Sequence, residues 1–305
     1  MSRLVGIDLG GTAIKAGALA ADGTVLERRQ VAAEVGRGAR AVVERIAALG
    51  RELGARDGRG LGLGVPGLID RARGVVGSSP NLKPMEGFPL RAELAAALGC
   101  APERVRIEND ANVAALGEHW IGGARGERNV LIVTLGTGVG GGLILNGELF
   151  AGEGGLGGEI GHVVIDPQGP PCGCGSRGCL ETLASASAAR RRARARGLTD
   201  DLEALTAQAR SSDGEARALL LEVGRDLGRG LALALVLLDL RCFLFGGGFA
   251  AALDVLAPGI VAGILERSYG RPAESLRLLP AELGTDAGWI GAARLGLEAP
   301  PRCAI

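Results

Sequence analysis

Aromatic residues are nearly missing from this chain: five Phe, two Trp and one Tyr make up 3% of its 305 residues. Its cores must therefore be built from Ala, Leu, Val and Ile, which a hydrophobic content of 47% supplies. An excess of either charge is lacking too. Lys+Arg and Asp+Glu are equal at 34 each, which gives no reason to expect nucleic acid or a membrane surface as partner. Lysine occurs only at Lys15 and Lys83, so nearly all the basic charge is arginine, a bias of genome composition rather than function. The longest apolar run, residues 231–238, is too short to span a bilayer and reads as a buried helix. No basic n-region and apolar h-region open the sequence, so a signal peptide is not expected and the expected place is the cytoplasm.

What is present is concentrated in residues 159–181, EIGHVVIDPQGPPCGCGSRGCLE. The stretch holds His162, one of two histidines, and Cys172, Cys174 and Cys179 in a C-x-C-x4-C pattern set among glycines. Glycine permits turns tight enough for several side chains to face one point. Three sulfurs and one imidazole are the ligand set of a closed tetrahedral zinc site, structural by default. A disulfide with a spare thiol is disfavoured where nothing suggests secretion. An iron–sulfur cluster would normally take four cysteines. Glu159 and Glu181 bracket the motif and are not needed as ligands, so both carboxylates can accept hydrogen bonds from something polar.

The chain opens as strand, glycine turn, strand. Residues 3–9 run into Asp8-Leu9-Gly10-Gly11-Thr12, 13–20 form a second strand, and 25–30 a third after the Asp22-Gly23 turn. This is neither a P-loop nor a dinucleotide fingerprint, since both lead into a helix. The glycines still let backbone N–H groups approach phosphate. Thr12 offers a hydroxyl, Lys15 a point charge, and Asp8 a carboxylate for magnesium held through water. An ordinary hairpin would read the same way.

Apolar spacing predicts a helix over 38–53, a buried strand over 61–65 ending in Pro66-Gly67, and a short strand at 75–76. Asn81 lies in a loop, as a substrate contact or a turn former. A helix is predicted over 89–98. Strand 105–108 stops at Asn109-Asp110 and helix 111–121 follows, which puts Asp110 where α/β folds place ligands; an N-cap aspartate would sit there as well. His119 reads as structural. Strand 130–135, the turn Gly136-Thr137-Gly138, a strand to 145 and the hairpin signal Asn146-Gly147 repeat the opening block. Two such blocks suggest two related domains facing one another across a cleft. Helices are predicted over 180–196, 200–210 and 215–238. Strand 241–245 ends in Gly246-Gly247-Gly248, which leaves room for adenine or ribose, or is a tight turn. Helix 249–266, strand 276–279 and helix 288–297 complete the chain, the last expected to return to the first domain.

In order, DLGGTAIKAG, VPG, END, LGTGVGGG, EIGHVVID, CGCGSRGCLE and FGGG resemble the ROK family (repressors, open reading frames, kinases) over nearly the whole chain. The joint presence of EIGH and CGCGxxGCLE makes the resemblance specific. It implies an α/β fold of two actin-like, ribonuclease-H-like domains facing a central cleft, with a zinc-binding insertion. Residues 1–118, joined by the C-terminal helix 287–305, would form one domain; residues 119–286, with the zinc motif 159–181, would form the other. The implied activity is a glucokinase: ATP-dependent phosphorylation of the glucose 6-hydroxyl, with Asp110 as general base. Sugar would be held by Gly67, Asn81, Asn109, Asp110, Glu159, His162 and Glu181.

The resemblance gives the zinc ligands as His162, Cys172, Cys174 and Cys179, with His162 serving metal and sugar through its two nitrogens. ATP and Mg²⁺ would meet Asp8, Gly10, Gly11, Thr12 and Lys15, then Thr134, Gly136, Thr137 and Gly138, then Gly246, Gly247 and Gly248. The family forms dimers and tetramers, so a homo-oligomer is implied. Alternatives stay open: a kinase for another hexose or N-acetylhexosamine (N-acetylmannosamine, N-acetylglucosamine, fructose), use of polyphosphate as donor, or a non-catalytic sugar-binding regulator. The family's repressors carry a helix-turn-helix before the first glycine turn; none is expected here, and the chain is not basic. Two departures stand out: a bulky strand at 242–245, and Met85 where an aromatic residue is common.

Overall fold

The computed structural model describes residues 3–55, 60–79, 82–270 and 272–297. The first block runs β1 (Leu4–Leu9), β2 (Ala13–Leu19), β3 (Val25–Ala32), α1 (Ala39–Glu52) and β4 (Leu61–Val65). It continues through the short hairpin β5 (Ile69–Asp70) and β6 (Val75–Val76), then α2 (Leu90–Leu98), β7 (Val105–Asn109) and α3 (Asp110–Ile121). The second block runs β8 (Val130–Leu135), β9 (Val139–Leu145) and β10 (Glu148–Leu149), then α4 (Leu180–Ala184), α5 (Ala186–Ala195), α6 (Leu202–Ser211) and α7 (Glu215–Leu238). It closes with β11 (Cys242–Gly246), α8 (Leu253–Leu265), β12 (Arg277–Pro280) and α9 (Ala287–Leu295).

Two compact units result. The first comprises Met1–Gly126, Leu149–Gly157 and Thr285–Ile305; the second comprises Glu127–Glu148 and Gly158–Gly284. Helix α3, which a boundary at 118 would cut, runs unbroken to Ile121 within the first unit.

Each unit contains a five-stranded sheet of the same design. The orders are β3-β2-β1-β4-β7 and β10-β9-β8-β11-β12. In each, the first strand pairs antiparallel with the second and parallel with a later strand. The central strands are buried almost throughout, as near-continuous apolar runs covered on both faces are. Ile7, Ile46 and Leu63 anchor the first core; Val133, Leu227 and Phe243 anchor the second. Burying a side chain of this size contributes about 1.5–3 kcal/mol. Phe243 and Phe245 fill the second core, which accounts for the bulky strand there, and Met85 is fully buried in the first.

The Asn146-Gly147 signal is realised: both residues have positive φ, 55° and 85°, as a two-residue hairpin needs. The helix predicted over 180–196 is instead two, broken at Ser185. Ser185 is extended and caps α5 through its hydroxyl, which accepts from Ala188 N at 3.1 Å. The Ala186 N–H meanwhile donates to Gly136 O, a tertiary partner that local periodicity does not reveal. Residues 231–238, expected as a buried helix, form the end of α7 with Leu233, Val236, Leu237 and Leu238 exposed; among the described residues the helical window Gly248–Leu265 is long and apolar enough by composition to cross a membrane. Its α8 packs along α7, where Gly224 and Gly228 let the two backbones approach. Helix α9 lies on β1 and β4 so closely that a side chain at Gly6 or Gly62 would collide with its carbonyls, at Trp289 and Ala292.

Candidate active site

One row of residues crosses the first sheet. Gln30 on β3 faces Lys15 on β2, Lys15 faces Asp8 on β1, Asp8 faces Gly64 on β4, and Gly64 faces Glu108 on β7. Directly opposed residues share a face of the sheet, and Gly6, two residues before Asp8, marks it as the face under α9. Burial, with the negative charge of Asp110 second, pushes the Asp8 carboxyl up to about 6, against the pull of Lys15. Lys15 Nζ donates to Thr285 O at 3.3 Å. The turn between β1 and β2 closes with Gly10 N donating to Ala13 O at 2.9 Å and leaves Gly11 and Thr12 near the surface.

The alternative reading of Asp110 as the cap of α3 does not hold. Asn109, not Asp110, is the N-cap: its Oδ1 accepts from Ala111 N at 2.8 Å and Asn112 N at 3.2 Å. Asn109 Nδ2 donates to Gly67 O at 3.0 Å, which ties the cap to the turn after β4. Gly67 has φ 107°, so glycine is required there. Asp110 becomes the first helical residue, and burial raises its pKa. Its Oδ1 accepts from Ala111 N at 2.9 Å.

Two residues behind this head escaped sequence reading. Glu108 is 1% exposed. Its Oε1 accepts from Asn109 N at 2.9 Å and Asn112 Nδ2 at 3.0 Å, while Oε2 pairs with the guanidinium of Arg71 from the β5–β6 hairpin. The available signal was a carboxylate on a buried strand, which is seldom tolerated without a partner. Asn81 lies outside the described residues.

The second unit assembles its polar groups on the chain between β10 and α4. His162 closes a 3₁₀ turn, Ile160–His162. Bridges Val164↔Cys179 and Pro171↔Arg177 and a Cys172 N to Ser176 O bond at 2.8 Å fold the cysteine loop back toward it. Cys174 Sγ and Cys179 Sγ stand 3.6 Å apart, as do Cys172 Sγ and His162 Nδ1. The four donor atoms all lie within 4.8 Å of one another. Tetrahedral ligands at ordinary zinc bond lengths stand about 3.5–3.8 Å apart, so this cluster could hold a metal ion. Burial pushes the Cys172 thiol up to about 12; a backbone bond from Ser176 and neighbouring thiols draw Cys174 down to about 7. His162 Nδ1 faces the thiols and Nε2 faces Glu159, 4.0 Å from its Oε2. Glu181, in the first turn of α4, lies 3.8 Å from Nδ1.

The nucleotide-side candidates of this unit are three glycine-rich positions. Thr134 on β8 pairs with Gly140 and Gly246. Gly136 N donates to Gly138 O at 3.1 Å, and a side chain at Gly138 would meet Glu181 Oε2. Gly247 has φ 87° and packs against the Leu135 backbone; Gly248 begins a 3₁₀ turn that precedes α8.

The ROK family model matches residues 4–299. The chain belongs to the ROK family. It is 35% identical to the glucokinase of Thermotoga maritima over 309 residues, covering 96% of each chain. Among solved structures it is similar to the ROK hexokinase of Thermus thermophilus, with TM-score 0.84, 37% identity and coverage of 96% of this chain and 97% of that one. It is also similar to a ROK glucokinase of Streptomyces griseus solved with glucose and AMPPNP, with TM-score 0.76, 33% identity and coverage of 96% and 99%. Its fold is thus the ROK sugar-kinase fold of the actin-like superfamily, with mixed sheets and helices.

Proposed function

We propose that this ROK protein is a glucokinase that transfers the γ-phosphoryl group of ATP to the 6-hydroxyl of glucose. Full-length similarity to ROK glucokinases carries the reading, and the chemistry of Asp110 supports it. Phosphoryl transfer needs an oriented hydroxyl, a base for its proton and neutralised phosphate charge. With Asn109 capping α3, Asp110 stays available as the base, and burial moves its pKa toward working pH, where a base is most effective. Asp110 takes the hydroxyl proton as the oxygen attacks. Gly67, Asn81, Asn109, Glu159, His162 and Glu181 supply the sugar's hydrogen bonds. Gly10, Gly11, Thr12, Lys15, Thr134, Gly136, Thr137, Gly138 and Gly246–Gly248 serve the nucleotide.

Asp8, a buried carboxylate close enough to Asp110 for their charges to interact, suits a hard cation. Magnesium bound there would neutralise phosphate charge. His162, Cys172, Cys174 and Cys179 suit zinc, which would fix the loop carrying Glu181 and leave His162 Nε2 for the sugar. The apolar end of α7, with Leu237 69% exposed beside Leu233 and Val236, supports a homo-oligomer. The cytoplasm is the proposed location.

A coupled assay over glucose, mannose, fructose, N-acetylmannosamine and N-acetylglucosamine, with ATP and polyphosphate as donors, tests the reading. Glucose with ATP is expected to give the highest kcat/KM. A better N-acetylhexosamine would overturn the glucose assignment, and no turnover on any sugar would favour a binding regulator.

A further inference from the structure

Helix α9 contains glycines at 288 and 291, and the two have different surroundings. At Gly291 an added Cβ would collide with backbone alone, Val113 O and Gly117 N, so that glycine lets α9 lie against α3. At Gly288 the three nearest atoms to an added Cβ all belong to one side chain: Asp8 Cγ and Oδ2 at 2.7 Å and Cβ at 3.2 Å. No backbone atom is among them. Nor does conformation require glycine at 288, since it sits in the first turn of a regular α-helix without positive φ. Room for the Asp8 carboxylate is what remains. On the adjoining strand a Cβ added at Gly64 would be blocked by Val113 Cγ2 at 2.5 Å and would only touch Asp8 Oδ1, at 3.5 Å, so the clash with the carboxylate is particular to Gly288.

We propose that Gly288 is a positioning residue of the active site, whose missing side chain leaves the Asp8 carboxylate where the phosphate-side chemistry needs it. The inference rests on the kinase reading above, in which Asp8 serves the nucleotide and its cation. It makes the start of α9, far along the sequence from the first glycine turn, part of the nucleotide side. A methyl group at 288 cannot fit without turning Asp8 away, and a misplacement of about 1 Å can cost about a hundredfold in rate. Stability should not suffer in parallel, because residue 288 already has helical backbone geometry, in which alanine is favoured over glycine.

The test is Gly288→Ala in the full chain, with Gly291→Ala as the packing control. We expect kcat to fall about 10- to 100-fold, the affinity for glucose without nucleotide to stay at the wild-type value, and the melting temperature to stay equal or rise. Calorimetric titration with the non-hydrolysable ATP analogue AMP-PNP should show its Mg²⁺-dependent binding weakened about 10- to 100-fold. Gly291→Ala should lower the melting temperature. Wild-type kcat and AMP-PNP affinity in Gly288→Ala would overturn the proposal. So would a loss of activity matched by an equal loss of melting temperature and glucose affinity, since that is what a packing glycine gives. A wild type that phosphorylates no sugar would instead sink the kinase reading, while the AMP-PNP titration would still report on Gly288.

Discussion

Asp8 on β1 and Thr134 on β8 hold matching places in two copies of one sheet. Asp8 is flanked by Lys15 and Gly64; Thr134 is flanked by Gly140 and Gly246. The frames agree and the chemistry does not. In the first unit ionisable groups sit in the sheet and at its edge, and burial moves the pKa values of Asp8 and Asp110. In the second unit the same positions carry a hydroxyl and glycines, and the ionisable groups hang from the chain between β10 and α4. There Glu159 and His162 have side chains 41% and 40% exposed. The strand order thus fixes where a functional residue can stand, and desolvation decides what it does there. The first unit is suited to proton transfer and charge, the second to hydrogen bonding and metal binding.

Asp110→Asn tests that division most severely. Asparagine keeps the shape of the first residue of α3, so folding and glucose binding should persist while kcat falls about 10²–10⁴-fold. Steady-state kinetics beside glucose calorimetry would show it; near-normal turnover would erase the proposed contrast between the units.

Cys174→Ala attacks the second unit and should do the opposite, coupling function to stability. Loss of a metal ligand removes folding free energy directly. Zinc content should fall from one per chain, the melting temperature should drop, and glucose affinity should weaken about 10- to 100-fold. ATP-side affinity should change less. Wild-type protein prepared without chelators, active and free of zinc, would remove the metal from the account.

Asp8→Asn sharpens the comparison with the smallest effect. The Asp8 carboxyl titrates near 6 in the folded protein and near 3.8 when unfolded. Between those values the folded state holds the extra proton, so the Asp8 contribution to stability declines as pH rises through the window and is fully lost above about 6. Asparagine escapes that loss, which is on the order of 3 kcal/mol at neutral pH. The variant should melt above wild type at pH 8 and match it near pH 4, though with impaired catalysis. An equal gain at both pH values would mean Asp8 is not the group responsible.

Much of the fold was legible because its signals are local. Alternating and continuous apolar runs marked the strands, and Asn146-Gly147 marked a hairpin that two positive φ values require. The cysteine cluster was legible for the same reason, since three of its four members fall within eight residues. What was hidden depends on partners distant in sequence. The break at Ser185 needs Gly136 O. The capping by Asn109 competes with an adjacent residue equally able to cap, and only the Gly67 carbonyl and the Glu108 carboxylate decide between them. Arg71 sits in an ordinary turn and gains meaning only through the buried Glu108. Gly288 reads as any helical glycine until Asp8, 280 residues earlier, is beside it.

Helix α9 has one more consequence, in the order of synthesis. The strands of the first unit emerge from the ribosome early, yet the glycines of β1 and β4 await a helix encoded after the whole second unit. Residues 127–284, apart from the short excursion Leu149–Gly157 that belongs to the first unit, can close while translation continues; the sheet of residues 4–109 stays open on its α9 face until residue 295 is free. Domains usually mature in the order they are made. Here the amino-terminal half completes its packing only with the carboxy-terminal helix.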